Sequence, residues 1–182
     1  MINGAGQGGG CMVRELVLRE VVSHSSEQTL AIGEWLGREM PSGTLLALDG
    51  DLGAGKTTLT RGIGQGLGGY PVSSPSFTLH DLHEGGRLPL SHCDAWMEGR
   101  EVAFLRDGGS EWLAGEGICV VEWAERVREW LPCPRLWVRL LHRTPQTRRL
   151  EFRVLGPDGA PEGLTQVLVR LLERLPESGE SP

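Results

Sequence analysis

The chain contains a single lysine, Lys56, among 18 basic residues; every other positive side chain is arginine. That scarcity excludes an Asn-Lys-x-Asp guanine-reading motif. No aspartate is followed three residues later by glycine, so the Asp-x-x-Gly switch of GTPases is missing too. No apolar stretch approaches the roughly 20 residues of a membrane span, and the N-terminus has no charged-then-apolar signal pattern, so a cytoplasmic protein without a membrane partner is expected. The four cysteines, Cys11, Cys93, Cys119 and Cys133, fall at no metal-type spacing and read as unpaired thiols. A basic excess is lacking as well. The net charge of −6 and a pI near 5.4 argue against a broad DNA, RNA or membrane footprint and leave room only for a local arginine patch.

What is present centres on the lone lysine. Gly50-Asp51-Leu52-Gly53-Ala54-Gly55-Lys56-Thr57 is a complete phosphate-binding loop. Given the chain's glycine, serine and threonine content, one lysine meets the rest of this pattern by chance about once in 400 trials. The context fits the chemistry. Thr44 to Leu48 is a short apolar run of buried-strand type, and Leu59, Ile63 and Leu67 then recur every four residues on one helix face. Leu52, Gly53, Ala54, Gly55, Lys56, Thr57 and Thr58 are therefore the expected nucleotide-binding residues: backbone N–H groups curl around the phosphates, Lys56 reaches the β- and γ-phosphates, and the Thr57 hydroxyl ligates Mg²⁺. A compact ammonium fits among packed phosphates where a planar guanidinium does not. ATP is the expected nucleotide, since both guanine-protein signatures are absent.

At 182 residues and 39% hydrophobic content, the length suits one core, and one α/β domain is expected over residues 12–175. Residues 1–11, glycine-rich, and 176–182 are expected to be a disordered lead and tail. Val13 to Val22 reads as a strand, and Ser25-Ser26-Glu27-Gln28 as the capping box of a helix ending near Pro41. Gly62, Gly64 and Gly66 weaken the helix after the phosphate loop by about 1 kcal/mol each relative to alanine, so packing against the sheet must hold it. Phe77 to His83 and Leu88 to Cys93 read as a hairpin inserted antiparallel. Short helices are expected within 98–115, a buried strand at Gly117 to Val121, a helix from Trp123 to Leu131, and a pair of strands at Leu136 to Leu141 and Leu150 to Val154. Leu164, Val167, Leu168, Leu171, Leu172 and Leu175 form an amphipathic helix that covers one sheet face.

A phosphate loop needs a further acid near Mg²⁺, at the C-terminal end of a buried strand. Glu122 directly follows Ile118 to Val121 and meets that requirement, against the bland alternative of a solvated glutamate opening the next helix. Asp94, at the end of the hairpin strand, is the other candidate, and the residues alone leave its role open. His92-Cys93-Asp94 does not read as a metal cluster, because neighbours on a strand point to opposite faces. Trp123 reads either as packed or as a nucleotide or partner contact.

Four segments in order, Gly50 to Thr58, Ser74 to Leu79, His92 to Trp96 and Val121 to Arg126, resemble the TsaE family, the ATPase of bacterial tRNA threonylcarbamoyladenosine biosynthesis. The resemblance spans about Ser25 to Phe152 and departs from the family pattern at Ser76, Trp96 and Met97. It implies a P-loop NTPase-like domain with a mixed central sheet flanked by helices. It also implies ATP hydrolysis that supports two partner subunits transferring threonylcarbamoyl to the tRNA adenosine beside the anticodon, with tRNA contact indirect. By the same resemblance Thr57 and Glu122 handle Mg²⁺, Lys56 and Asp94 are catalytic, Ser76 contacts the γ-phosphate or Mg²⁺, and Ser26, Thr29 and Arg148 flank the nucleotide. A small-molecule kinase and a non-catalytic ATP-dependent switch are the rival readings of the same loop.

Overall fold

The computed structural model describes residues 13–73, 80–96, 113, 115–157 and 164–174. One seven-stranded mixed sheet organises them. Its strands are β1 (Val13–Ser23), β2 (Thr44–Asp49), β3 (His80–His83), β4 (Leu90–Asp94), β5 (Ile118–Glu122), β6 (Arg135–His142) and β7 (Arg148–Pro157). Their order across the sheet is β1-β7-β6-β2-β5-β4-β3. β4, β5, β2 and β6 run parallel, while β7, β1 and β3 pair antiparallel with their neighbours.

The apolar pattern explains the parallel centre. β2 and β5 are continuous hydrophobic runs because both of their faces are covered. On one face Leu46, Leu48, Val120, Leu136, Val138 and Phe152 join the helices α1 (Ser26–Glu39) and α2 (Lys56–Gly68) in one core. On the other, Leu45, Ala47, Val121 and Trp137 pack with Ala124, Val127 and Leu131, in and beside the 3-10 helix Ala124–Trp130. A last helix, α3 (Leu164–Glu173), buries Leu168, Leu171 and Leu172 in the first of these cores. Each fully buried leucine contributes about 1.5–3 kcal/mol through apolar area removed from water.

Several expectations change here. The hairpin is real, but it is no insertion: β4 is a parallel strand of the main sheet, hydrogen-bonded to β5 from Leu90↔Ile118 to Asp94↔Glu122. A parallel pairing over more than 20 residues of chain leaves no local signature, whereas the Glu84 to Arg87 turn does. The segment after β5 starts one residue late, because Trp123 adopts left-handed φ 58 and cannot open a helix. The glycines of α2 pack mainly on α1 rather than on the sheet. A Cβ on Gly62 would stand 2.1 Å from the Leu30 carbonyl oxygen, and one on Gly66 2.1 Å from that of Glu34. Gly33 and Gly37 answer from α1, where a Cβ would meet the Leu59 and Ile63 carbonyls at 2.2 and 2.3 Å. The helices thus touch backbone to backbone. Residues 1–11 and 176–182, Phe77 to Leu79 and nearly all of 98–115 lie outside the described residues.

α1 begins as its sequence predicts. The Ser25 hydroxyl accepts from the Gln28 N–H at 3.2 Å, while the Gln28 side chain takes the N–H of His24 instead of that of Ser25. Ser26 therefore stands at the first helical position.

Candidate nucleotide site

The loop between β2 and α2 turns on glycines. Gly50 has φ 138, and a Cβ there would lie 2.3 Å from the Leu140 carbonyl oxygen; Gly55 has φ 106 and caps α2 with no side-chain hydrogen bond. An uncapped helix N-terminus keeps its N–H groups and its positive end available to an anion.

Lys56 is only 5% exposed, and its Nζ donates to the carbonyls of Gly50 at 2.6 Å and Asp51 at 3.0 Å. The same nitrogen lies 3.4 Å from the centre of the Trp123 ring. Trp123 packs in turn on the exposed Trp96, with centroids 4.2 Å apart and ring planes tilted by 46°. Burial pulls the Lys56 ammonium below the ordinary lysine pKa, and the carboxylates of Glu122, Glu125, Asp49 and Asp94 act in the opposite direction.

Glu122 ends β5 and is 2% exposed. Two side chains donate to it, Thr57 Oγ1 to Oε2 at 3.0 Å and His92 Nε2 to Oε1 at 2.9 Å, while the Thr60 hydroxyl, 3.3 Å from Oε1, shares its one hydrogen with the closer Lys56 carbonyl at 3.0 Å. Asp94 ends β4 opposite Glu122 in the register, and its Oδ1 accepts the Trp96 N–H at 2.9 Å. Lys56, Thr57, Asp94, Trp96, Glu122 and Trp123 line one cavity of about 400 Å³.

A second cavity of about 490 Å³ lies on the other side of the loop, bounded by Ser25, Ser26, Thr29, Gln146 and Arg148. Gly53, Gly55 and Thr58 border both cavities. Together they form a trough along the loop, with the acids at one end. Thr29 lines the trough, but its hydroxyl is engaged by Ser23 at 2.7 Å and by the Ser25 carbonyl at 3.2 Å. Arg148 donates to the carbonyls of Thr144, Pro145 and Thr147 and, at 3.4 Å, to that of Gly53, so it fastens the β6–β7 turn to the phosphate loop. The structure thus brings together Ser26, Thr29, Arg148, Asp94, Glu122 and the loop from Leu52 to Thr58. Ser76 lies outside the described residues.

Sequence reading missed His92 and Thr60. Both had a signal. Thr60 follows Thr57 by three residues and shares its helix face, and His92 precedes Asp94 by two and shares its strand face. Ruling out a His-Cys-Asp cluster left that alternation unused.

A family model described as "Threonylcarbamoyl adenosine biosynthesis protein TsaE" matches residues 23–150, which include β2, the loop, α2, β4 and β5. The chain belongs to the TsaE family. A TsaE of Bacillus subtilis is 39% identical over 131 residues, covering 71% of this chain and 82% of that protein. A TsaE of Treponema pallidum is 39% identical over 112 residues, covering 61% of this chain and 82% of its own length. Among solved structures, the crystal structure of Bacillus subtilis YdiB superposes with a TM-score of 0.68 at 30% identity, covering 89% of this chain and 97% of that one. The TsaE relatives carry tRNA threonylcarbamoyladenosine biosynthesis in their names, and the fold is that of a P-loop NTPase-like nucleotide-binding protein.

Proposed function

We propose that this chain binds ATP with Mg²⁺ and hydrolyses it in support of threonylcarbamoyl transfer to the tRNA adenosine beside the anticodon, acting in the cytoplasm with two protein partners. One observation carries the reading: the only lysine of the chain sits in a glycine loop at a helix N-terminus, facing the carboxylates at the ends of two adjacent parallel strands. That is the arrangement phosphoryl transfer requires, a cationic cradle for the phosphates and acids for a metal and a water.

In this reading the loop N–H groups and Lys56 hold the phosphates, after the ammonium has exchanged its two carbonyl partners for phosphate oxygens. Thr57 and Glu122 would hold Mg²⁺, and their hard oxygen donors suit that ion. Bound there, the metal would neutralise charge developing on the phosphate oxygens. Asp94 would accept a hydrogen bond from the attacking water and orient it. Ser26, Thr29 and Arg148 would border the nucleoside end of the trough, and Ser76 would add a hydroxyl at the phosphate end.

No arginine lines the phosphate cavity among the described residues. Transition-state charge would therefore be met by a group from outside, so the isolated chain should turn ATP over slowly. Mixing it with the two candidate transfer subunits tests this. Phosphate release should rise, by as much as roughly 10³ to 10⁵ if a complete arginine finger is supplied, and ATP should tighten assembly. If neither rate nor association changes, the reading fails. A phosphorylated metabolite in place of free phosphate would indicate a kinase instead.

A further inference from the structure

We infer that His92 is a positioning residue that pins one oxygen of Glu122 so that the other is presented to the phosphate cavity for a divalent cation. This rests on the proposed metal role of Glu122.

The two carboxylate oxygens of Glu122 have different surroundings. Oε1 receives the His92 ring at 2.9 Å and lies 3.3 Å from the Thr60 hydroxyl. Both residues are fully buried, at 0% exposure. Among the described residues Oε2 receives only Thr57, at 3.0 Å, and Thr57 borders the cavity. Thr57 is therefore an exchangeable partner, whereas His92 and Thr60 are built into the core. The single hydrogen of the Thr60 hydroxyl goes chiefly to the Lys56 carbonyl at 3.0 Å, which leaves the His92 ring as the main donor to Oε1.

Among the described residues the imidazole has no other hydrogen-bond partner. A carboxylate oxygen only accepts, so the hydrogen lies on Nε2. Nδ1 is buried with no hydrogen-bond partner among the described residues. An unsatisfied buried polar atom is costly, and a position that served packing alone would be filled at lower cost by an apolar side chain. The strand register explains how the ring reaches its target: His92 stands opposite Val120 on β5, two residues before Glu122 on the adjoining strand. Groups that orient a metal-binding carboxylate typically change metal affinity by about 10- to 100-fold when removed.

The test measures Mn²⁺ binding to the full chain in the presence of a non-hydrolysable ATP analogue, by electron paramagnetic resonance of the free ion. His92→Leu should weaken Mn²⁺ affinity by about 10- to 100-fold and leave metal-free nucleotide affinity unchanged. His92→Gln, whose amide nitrogen reaches nearly as far as Nε2, should restore it to within a few-fold. His92→Asn, one methylene shorter, should not. If His92→Leu does not fold, the Gln and Asn variants decide, and equal affinity in both overturns the inference. Glu122→Gln and Thr57→Ala separate the two levels of the argument. If these lower Mn²⁺ affinity and the His92 variants match the native chain, the positioning role is overturned while the metal site stands. If neither alters it, the metal site itself is refuted and the inference falls with it.

Discussion

The ammonium of Lys56 and the ring of Trp123 are in contact, 3.4 Å from nitrogen to ring centre, while the same nitrogen is bonded to two carbonyls of its own loop. On the proposed reading a phosphate displaces at least part of this set. Only a compact head with rotatable donors makes that exchange inside a site this closed. Lys56→Arg should therefore lower phosphate release by about 10²-fold or more, as should Lys56→Ala, although the arginine keeps the charge. Full turnover in Lys56→Arg would separate the loop from the chemistry.

Glu122 and Asp94 lie side by side but should fail differently. Glu122→Gln should raise the Mg²⁺ concentration that gives half-maximal activity. Asp94→Asn should lower kcat by about 10²- to 10⁴-fold with nucleotide affinity nearly unchanged. Superimposable Mg²⁺ titrations for Glu122→Gln and the native chain would remove Glu122 from the metal site.

The edge hairpin should make the fold sensitive to acid. Burial lowers the pKa of His80 and His83 below the ordinary 6.5, with Asp81 opposing it in both. Between 6.5 and the depressed folded values the unfolded chain binds more protons, so stability falls as pH drops through that window and is unaffected above it. Urea midpoints compared between neutral pH and about pH 5.5 should show this loss, and the double variant His80→Gln/His83→Gln should show less of it. An identical pH dependence in the two proteins would contradict the prediction.

The helix contact leaves no room for a methyl group. Gly33→Ala or Gly62→Ala would drive a Cβ into a carbonyl oxygen of the facing helix and should cost about 1–3 kcal/mol, read as a lowered urea midpoint. Gly69→Ala offers a contrast, since a Cβ there meets nothing within 4 Å. Its cost should come only from left-handed φ 83.

Legibility followed the range of the interactions. The glycine loop between β2 and α2, the cap at Ser25 and the strand ending in Glu122 are written in adjacent residues, and all were readable. The pairing of β4 with β5 was not, because the intervening chain says nothing about which strand a hairpin joins. The glycines of α2 announced a weak helix, but the sequence pointed to the sheet as the surface that compensates. That surface is mainly α1, and recognising it requires seeing Gly33 and Gly37 one turn apart on another element. Trp123 looked like the start of a helix because nothing in its sequence neighbours signals the positive φ that accompanies its ring packing over Lys56 and against Trp96.

The backbone contact between α1 and α2 sets the mechanics of the trough. Ser25, Ser26 and Thr29 at the start of one helix and Gly55 to Thr58 at the start of the other belong to a block whose separation is fixed by main-chain atoms rather than by side chains that change rotamer. Such a block is expected to move as one. A spectroscopic label pair across the two helices should read the same distance with and without nucleotide. On the proposed reading, entry and exit of the nucleotide would then fall to the opposite walls, the Thr144 to Thr147 turn held by Arg148 and the tilted Trp96–Trp123 pair, so the residues expected to govern exchange rates lie on a different part of the chain from those that shape the cradle.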